Sequence, residues 1–483
     1  MSSPMPNRPS NASFLQTVSM KFLPFADVAT EELPLARLLR LSLFQVSVGM
    51  AMVLLTGTLN RVMIVELGVP TSLVALMVAI PVLVAPLRVL MGYRSDAYKS
   101  LLGWRRVPYI WLGSMLQFGG LAIMPFALLL LQSQTLGPTW IGPAAAALAF
   151  LLTGIGMHMA QTAGLALATD LASEDNRPRV VALVYVLLLV GMMVSALTFG
   201  WLLSDFNAKI LIQVVQGAAV ATLALNLVAL WKQEARNPEL TRFDRPQISF
   251  FDALRDYGTD ENVKRLLLAV ACGAAGFAMQ DVLLEPYGGE VLRLSVAQTT
   301  LLTALWAFGA LVGFAIAARF VAQGRDMYRL AAMGALLGVA SFSCVVFAEP
   351  LNSANLFRLG TFLIGLGGGI FSVATMLACM NIGGGRIENG VVIGAWGAVQ
   401  ATATGLGLAL GGFIRDAVNA GIDAGVFGSA LNTPAAGYSV VYHIEIGLLF
   451  AVLVLLGPLV GTARDTSNET SITRTIGLAD LPG

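Results

Sequence analysis

The chain has 483 residues, of which 57% are hydrophobic and only 12% are charged, and its formal net charge at pH 7 is +1. Its mean hydropathy is +0.77, whereas soluble domains carry about 25% charged residues. This composition excludes a soluble protein, and the balanced charge gives no support to a nucleic-acid partner.

Apolar stretches of about 20 residues recur along the chain, and each is long enough to cross a hydrocarbon core of about 30 Å. Backbone polar groups in lipid must be satisfied within their own segment, so these stretches are predicted to be helices. We predict an all-α integral membrane protein with twelve transmembrane helices. The predicted spans are 41–63, 70–91, 107–131, 140–163, 180–203, 209–231, 265–285, 298–320, 329–348, 356–380, 390–413 and 438–461.

The longest polar stretch between spans divides six predicted helices from six. Most of the 29 Lys and Arg residues fall in loops on one side of the membrane. Short loops that stay cytoplasmic keep most of the positive charge, so both termini are predicted to be cytoplasmic. The predicted segments are a partly interfacial N-terminal segment (1–40), a first six-helix half (41–231), a linker (232–264), a second six-helix half (265–461) and a tail (462–483).

The two halves show weak similarity at corresponding positions. FGWLLSD ends the fifth span at Asp205, and GGFIRD ends the eleventh at Asp416. This pattern favours a duplication, and duplicated halves place a cavity between them near the middle of the membrane.

Ionisable residues inside spans are costly and are therefore candidates for function. The first span contains Arg61, and the seventh contains Asp281 and Glu285, four residues apart on one helix face, followed by Pro286, which loosens the helix. We predict that Arg61 pairs with Asp281 or Glu285 across the mouth of the cavity. The alternative is that each side chain snorkels separately to the interface.

A loop follows the second span with the sequence GYRSDAYKSLLGWRR, which contains Asp96, Arg105 and Arg106. It resembles the loop that marks the major facilitator superfamily, although the stretch between the Asp and the arginines is longer than usual. The resemblance implies a cytoplasmic latch between helices that opens and closes during transport. The alternative is ordinary positive charge on the cytoplasmic side.

Two histidines lie in predicted spans, His158 in the fourth and His443 in the twelfth. Neutral imidazole can bind a metal, including the magnesium of a chlorophyll-type ring. The glycines before His158 favour room for a flat macrocycle there. The alternative is that each histidine is a hydrogen-bonded packing residue.

Sequence motifs of common enzymes are absent, including GxxxxGK[ST], HExxH and a G-x-S-x-G elbow with partners. The three cysteines lie inside spans without CxxC spacing, so no zinc site is indicated. We therefore predict no catalytic residues, no metal site of the protein itself, and no enzyme activity.

Several long segments resemble one family closely: FLPFADVATEELPLARLLRLSLFQVSVGM, GTLNRVMIVELGVP, GYRSDAYKSLLGWRRVPYIWLG, TDLASEDNRPRVVALVY and QDVLLEPYGGEVL. They are similar to the PucC and LhaA proteins, the bacteriochlorophyll delivery family of the major facilitator superfamily. The resemblance implies a fold of the major-facilitator type in the inner, intracytoplasmic photosynthetic membrane of a bacterium.

The resemblance also implies a function: assembly of light-harvesting antennae, with bacteriochlorophyll bound or delivered to antenna polypeptides. It implies a core antenna for LhaA-like members and a peripheral antenna for PucC-like members. Further expected partners are the reaction-centre core complex, bacteriochlorophyll synthase and the lipid bilayer. The alternatives are a proton-coupled exporter of a small amphipathic solute, with Asp281 and Glu285 as coupling carboxylates, and a pigment-free scaffold for antenna assembly.

Overall fold

The structure is a computed structural model that describes residues 34–84, 104, 106–132, 138–173, 176–234, 261–382, 389–426 and 433–460. Most of the predicted N-terminal segment and linker, the C-terminal tail, Asp96 and Arg105 lie outside the described residues.

Twelve apolar helices make up nearly all of the described chain. They are α1 (Leu35–Glu66), α2 (Thr71–Leu83), α3 (Val107–Gln132), α4 (Ile141–Leu171), α5 (Arg177–Leu202), α6 (Ala208–Leu230), α7 (Glu261–Glu290), α8 (Val296–Ala322), α9 (Met327–Ala348), α10 (Ala354–Ile382), α11 (Asn389–Asp423) and α12 (Ala436–Leu456). Eleven are long and apolar enough to cross a membrane, and α2 is shorter within its described part. The predicted all-α membrane fold is confirmed.

Some helices extend beyond the predicted spans. The fourth span was predicted to end at residue 163 and the eleventh at 413, but α4 continues to Leu171 and α11 to Asp423. Hydropathy predicts only the part of a helix that lies in hydrocarbon, whereas the backbone hydrogen bonds continue into polar surroundings.

Helix contacts in the two halves follow the same pattern. In the first half α1 packs on α5 and α6, α3 packs on α4 and α6, and α2 packs on α4. In the second half α7 packs on α11 and α12, α9 packs on α10 and α12, and α8 packs on α10. Between the halves, α2 packs on α11 and α5 packs on α8. Adding six to each helix number reproduces these pairs, so the two halves share one arrangement of helices, as expected for a parallel duplication.

Glycines allow α8 and α10 to pack with their backbones in contact. A Cβ added at Gly313 would lie 2.5 Å from the carbonyl oxygen of Leu366, and one at Gly369 would lie 2.8 Å from that of Ala310. Gly309 and Gly365 meet backbone atoms of the facing helix in the same way. These small-residue faces therefore serve close packing, which is their usual role in membranes.

Large apolar side chains cover much of the outside of the bundle. Trp201, Phe126, Phe413 and Val454, for example, are all more than 60% exposed. A water-soluble protein buries such groups, whereas lipid tails are a suitable solvent for them. The exposed surface is thus consistent with a multi-pass membrane protein.

The halves are joined by hydrogen bonds near one end of the bundle. We call this the distal end; it carries residues 67–70 and 291–295, and the opposite, proximal end carries residues 323–326. At the distal end the backbone N–H of Ser72 donates to Oδ2 of Asp416 at 2.7 Å, and a guanidinium nitrogen of Arg415 donates to Oγ1 of Thr71 at 2.8 Å. Both bonds link α2 of the first half to α11 of the second.

Candidate functional site at the contact of α1 and α7

Helix α7 is interrupted in the middle of the bundle. An α-helix over Glu261–Ala278 gives way to a 3₁₀ turn over Met279–Val282, and a second short α-helix covers Leu284–Glu290. Pro286 is one cause, because proline has no N–H and its ring clashes with the carbonyl four residues earlier. That carbonyl belongs to Val282.

Side chains from other helices satisfy the backbone groups at this interruption. Nδ2 of Asn60, on α1, donates to the carbonyl oxygen of Val282 at 2.9 Å. Oε1 of Glu445, on α12, accepts from the backbone N–H of Gln280 at 2.7 Å. An interrupted helix is tolerated inside a membrane only where such partners are supplied.

Helix α1 is irregular where it faces α7. It contains two π-helical segments, Val53–Thr58 and Val62–Glu66. Asn60 lies between them, and its Nδ2 also donates to the carbonyl oxygen of Thr56 at 3.0 Å. Helices α1 and α7 occupy equivalent places in the two halves, so both halves depart from the regular α-helix where they meet. Such irregular segments mark functional regions in many membrane proteins.

Glu285 is buried at this contact. Its Oε1 accepts from Oγ1 of Thr303 on α8 at 2.7 Å, and its carboxylate lies directly against Gly57 of α1. Its Oε2 has no hydrogen-bond partner among the described residues, and the same is true of Oε2 of Glu445. The site thus contains two buried carboxyl groups with one oxygen each left unpaired, although burial of such groups is costly.

Arg61 is also buried here, but its ion pair differs from the prediction. Its guanidinium contacts Oε1 of Glu66 at 2.5 Å and donates to the carbonyl oxygen of Leu294 at 3.4 Å. In the described structure this pair within α1 replaces the predicted pair with Asp281 or Glu285. The π-helical segment explains the change, because its repeat of about five residues brings positions 61 and 66 to the same side. Asp281 instead accepts a hydrogen bond from the side chain of Gln280.

A polar cluster lies at the distal end beside this site. Arg415 forms ion pairs with Glu290 of α7 at 2.6 Å and with Asp416 at 3.0 Å. The hydroxyl of Tyr438, on α12, donates to Glu290 at 2.7 Å. With the bonds of Thr71 and Ser72 described above, this cluster links four helices from both halves.

Sequence reasoning missed Glu445 and the role of Arg415. Glu445 lies within the apolar run of the twelfth span, so the rule that selected Asp281 and Glu285 would have selected it too. Arg415 lies just beyond residue 413, where the eleventh span was predicted to end, so the search for ionisable residues inside spans did not select it.

The basic loop before α3 is described only in part. Nε of Arg106 lies 3.0 Å from Oδ2 of Asp170 at the end of α4. The carboxylate of Glu234 accepts from the backbone N–H groups of Arg106 and Val107 at 2.8–3.1 Å. This carboxylate caps the N-terminus of α3, where negative charge is favourable. The predicted latch of Asp96 and Arg105 stays a prediction, since both residues lie outside the described chain.

His158 is buried inside the first half, on α4. The preceding glycines do not provide the predicted room for a macrocycle. Gly154 lies against the ring of Pro81, and Gly156 lies against the backbone of Gly113 and Gln117 on α3. Pigment ligation by His158 stays a prediction, without the support of those glycines.

His443 lies on the outside of α12, beside a cleft of about 560 Å³ between the end of α9 and the start of α12. Its Nδ1 is 2.7 Å from the carbonyl oxygen of Ser439, one helical turn earlier. The two histidines therefore have different surroundings, one inside the bundle and one on its surface.

Solved structures with the same fold are transporters of the major-facilitator type. The nucleoside transporter NupG matches with a TM-score of 0.63 at 14% identity, covering 87% of this chain and 99% of that chain. A bacterial homologue of the iron transporter ferroportin, in the inward-facing state, matches with a TM-score of 0.63 at 13% identity, covering 88% and 98%. At these identities the likeness shows the fold alone, and it confirms the predicted major-facilitator architecture.

Other proteins have a much higher sequence identity to this chain than these transporters do. An uncharacterised protein of the puhA–bchM intergenic region of Rhodobacter capsulatus is 55% identical over 471 residues, which is 96% of this chain and 98% of that one. Protein PucC of Rhodovulum sulfidophilum is 54% identical over 84% of this chain and 90% of its own length. A more distant relative, at 28% identity over 86% of this chain and 96% of its own, is named the bacteriochlorophyll synthase 44.5 kDa chain of Rhodobacter capsulatus.

The family model described as PUCC protein matches residues 58–464, which cover most of the first half, from Asn60 and Arg61 onward, and the whole of the second half. The chain belongs to the PUCC protein family, as the resemblance of its segments predicted.

Proposed function

We propose that this protein is an assembly factor for light-harvesting antennae that binds bacteriochlorophyll and delivers it to antenna polypeptides within the membrane. The observation that carries this proposal is the similarity to PucC proteins, at 54% and 47% identity over most of the chain. The distant relative named as a bacteriochlorophyll synthase chain supports a connection with the same pigment.

The physical character of the protein suits this cargo. Bacteriochlorophyll is flat and apolar, and it must pass from its synthase to a polypeptide without entering water. The apolar outer surface keeps such a molecule in a lipid-like environment throughout the transfer. The chain's own contribution is to hold and orient the pigment, while the pigment supplies the light absorption that the antenna needs.

The partners that we propose share the same membrane. They are the antenna polypeptides of the core or peripheral antenna, the reaction-centre core complex and bacteriochlorophyll synthase. We place the protein in the inner, intracytoplasmic membrane with both termini in the cytoplasm, because the basic residues are concentrated on that side.

Two measurements test the proposal. Antenna content is read from the near-infrared absorption of membranes in a strain without this protein and in the same strain after complementation. Pigment is then measured on protein purified in mild detergent from a strain that makes bacteriochlorophyll but no antenna polypeptides. We expect loss of one antenna in the first experiment and bound pigment in the second. Normal antennae without the protein would contradict the assembly role, and loss of antenna without any bound pigment would favour a pigment-free scaffold.

A proton-coupled exporter of a small amphipathic solute is the second candidate function. It is favoured by the buried carboxyl groups of Glu285 and Glu445 beside the interrupted helix, each with an unpaired oxygen. Glu445 is better placed than Asp281 to act as the second coupling carboxylate beside Glu285. It is fully buried and accepts a hydrogen bond from the backbone N–H of Gln280 at the interruption of α7. Solute flux in vesicles that depends on a proton gradient and is abolished by Glu285→Gln would support the exporter.

A further inference from the structure

The cleft between α9 and α12 is a candidate ligand site on the described surface that the contact of α1 and α7 does not explain. Its volume of about 560 Å³ lies within the range of small-molecule sites, about 300–1,000 Å³. Residues from three helices line it, among them Tyr287, Val346, Val440, Tyr442 and His443. Most of the lining surface is apolar, although the polar side chains of Glu349, Thr433 and Ser439 also line the cleft.

The orientation of the His443 ring leaves one nitrogen available. A carbonyl oxygen can only accept a hydrogen bond, so the contact of 2.7 Å with the carbonyl oxygen of Ser439 assigns the proton to Nδ1. In the neutral ring Nε2 then carries a lone pair, and it makes no hydrogen bond to the described residues. Metal-binding histidines are commonly fixed in this way, with the other ring nitrogen donating to a backbone carbonyl.

The position of His443 also needs an explanation. It lies seven residues into α12, about 10 Å along the axis at 1.5 Å per residue, and its side chain is exposed on the outside of the helix. Lipid tails offer no partner to an imidazole nitrogen at such a position, so a polar group there is costly. A ligand in the cleft would supply the missing partner.

A second unpaired group lies beside the same cleft. Tyr442 is fully buried, and its hydroxyl has no hydrogen-bond partner among the described residues. Buried hydroxyls normally form a hydrogen bond, since a buried hydroxyl without a hydrogen-bond partner is unfavourable. The hydroxyl lies beneath the cleft lining and is not open to it, so of these two side chains His443 alone presents an unused lone pair to a ligand there.

We propose that this cleft binds a magnesium tetrapyrrole, with Nε2 of His443 as the axial ligand of the metal. The inference rests on the proposed function, because that function names the class of pigment. It adds the location: the surface of the second half, open to lipid, rather than the buried surroundings of His158. A lipid-facing site allows direct exchange with a membrane partner.

The experiment is pigment binding by full-length protein in mild detergent. Wild-type protein and the variants His443→Phe and Val440→Trp are prepared from the strain without antenna polypeptides, and bacteriochlorophyll a is also added to the purified samples. His443→Phe removes the ligand, whereas Val440→Trp keeps it and fills the cleft. We expect bound pigment in the wild type, a Qx absorption band typical of five-coordinate magnesium, and loss of most pigment in both variants.

Val454→Ala is the matched control. Val454 is exposed on the outside of the same helix and does not line the cleft, so pigment and spectrum should be unchanged. His443→Gly with added imidazole provides a test that does not depend on the phenylalanine variant folding well. Recovery of the pigment and of the five-coordinate spectrum with imidazole would support ligation.

The outcomes separate this inference from the proposed function. Equal pigment in wild type and in the His443 and Val440 variants would overturn the site while leaving pigment delivery intact. Loss of pigment in His158→Ala but not in His443→Phe would move the site to α4. Absence of pigment from the wild type, in a protein whose deletion still abolishes antenna, would overturn the site and leave the assembly role.

Discussion

The side chain of Asn60 in α1 donates a hydrogen bond to the carbonyl oxygen of Val282 in α7. This carbonyl would be the acceptor for residue 286 in a regular helix, but residue 286 is a proline and has no N–H. One half of the protein therefore completes the hydrogen bonding of the other, at a point where both halves are irregular.

Replacement of Asn60 by Leu should lower the melting temperature of the purified protein. The change leaves the carbonyl of Val282 buried without a donor, at a cost of about 1–3 kcal/mol. Thermal stability in detergent, followed by size-exclusion chromatography, measures the effect. Thr198→Val is the control, because Thr198 is exposed and bonds only within its own helix. A melting temperature equal to that of the control would show that this bond contributes nothing.

Glu445 should tolerate Gln better than Leu. A glutamine keeps a side-chain oxygen that can accept from the N–H of Gln280, whereas leucine leaves that N–H unpaired beside the interruption of α7. We expect Glu445→Gln to retain near wild-type stability and antenna assembly, and Glu445→Leu to lose both. If the Gln variant assembles no antenna although it is stable, then the ionisable carboxyl itself is required, and a proton-coupled mechanism gains support.

Arg415 and Glu290 should show coupled effects on stability. Arg415→Met leaves Glu290 without its opposite charge, and Glu290→Gln leaves Arg415 with Asp416 alone, whereas the double variant removes both charges of the pair. Contacting pairs couple by about 0.5–3 kcal/mol, so the drop in melting temperature of the double variant should be smaller than the sum of the two single drops. The exposed pair of Glu261 and Lys264 is the control, and its effects should simply add.

Glycines in the second half should differ sharply in their tolerance of alanine. At Gly365 a methyl group would meet the carbonyl oxygen of Trp306 on the facing helix, whereas Gly447 has open space at the same position. Overpacking costs about 1–3 kcal/mol, while alanine in an open helix position is neutral or stabilising. Expression level and melting temperature of Gly365→Ala and Gly447→Ala test this, and equal behaviour would contradict the close packing of α8 on α10.

The number of helices could be predicted because hydropathy reports the solvent around each segment. The interruption of α7 could be predicted only in part: Pro286 marked a loosened helix, but its partners come from α1 and α12, which are far away in sequence. The ion pair of Arg61 with Glu66 was not predicted, because it depends on a π-helical segment that the sequence of α1 does not indicate. Glu445 was within reach of the same reasoning that selected Glu285, and it was simply not selected.

The glycine contacts between α8 and α10 bear on how the protein can move. Two helices whose main chains touch at four positions cannot separate or rotate against each other without losing those contacts, so α8 carries α10 with it as one rigid body. Because α8 also packs on α5 of the first half, a tilt between the halves would be transmitted through this pair as well as through the contact of α2 with α11. Bending is then confined to α7, whose 3₁₀ turn separates two α-helical segments. Side chains from α1 and α12 form hydrogen bonds to the backbone at this turn.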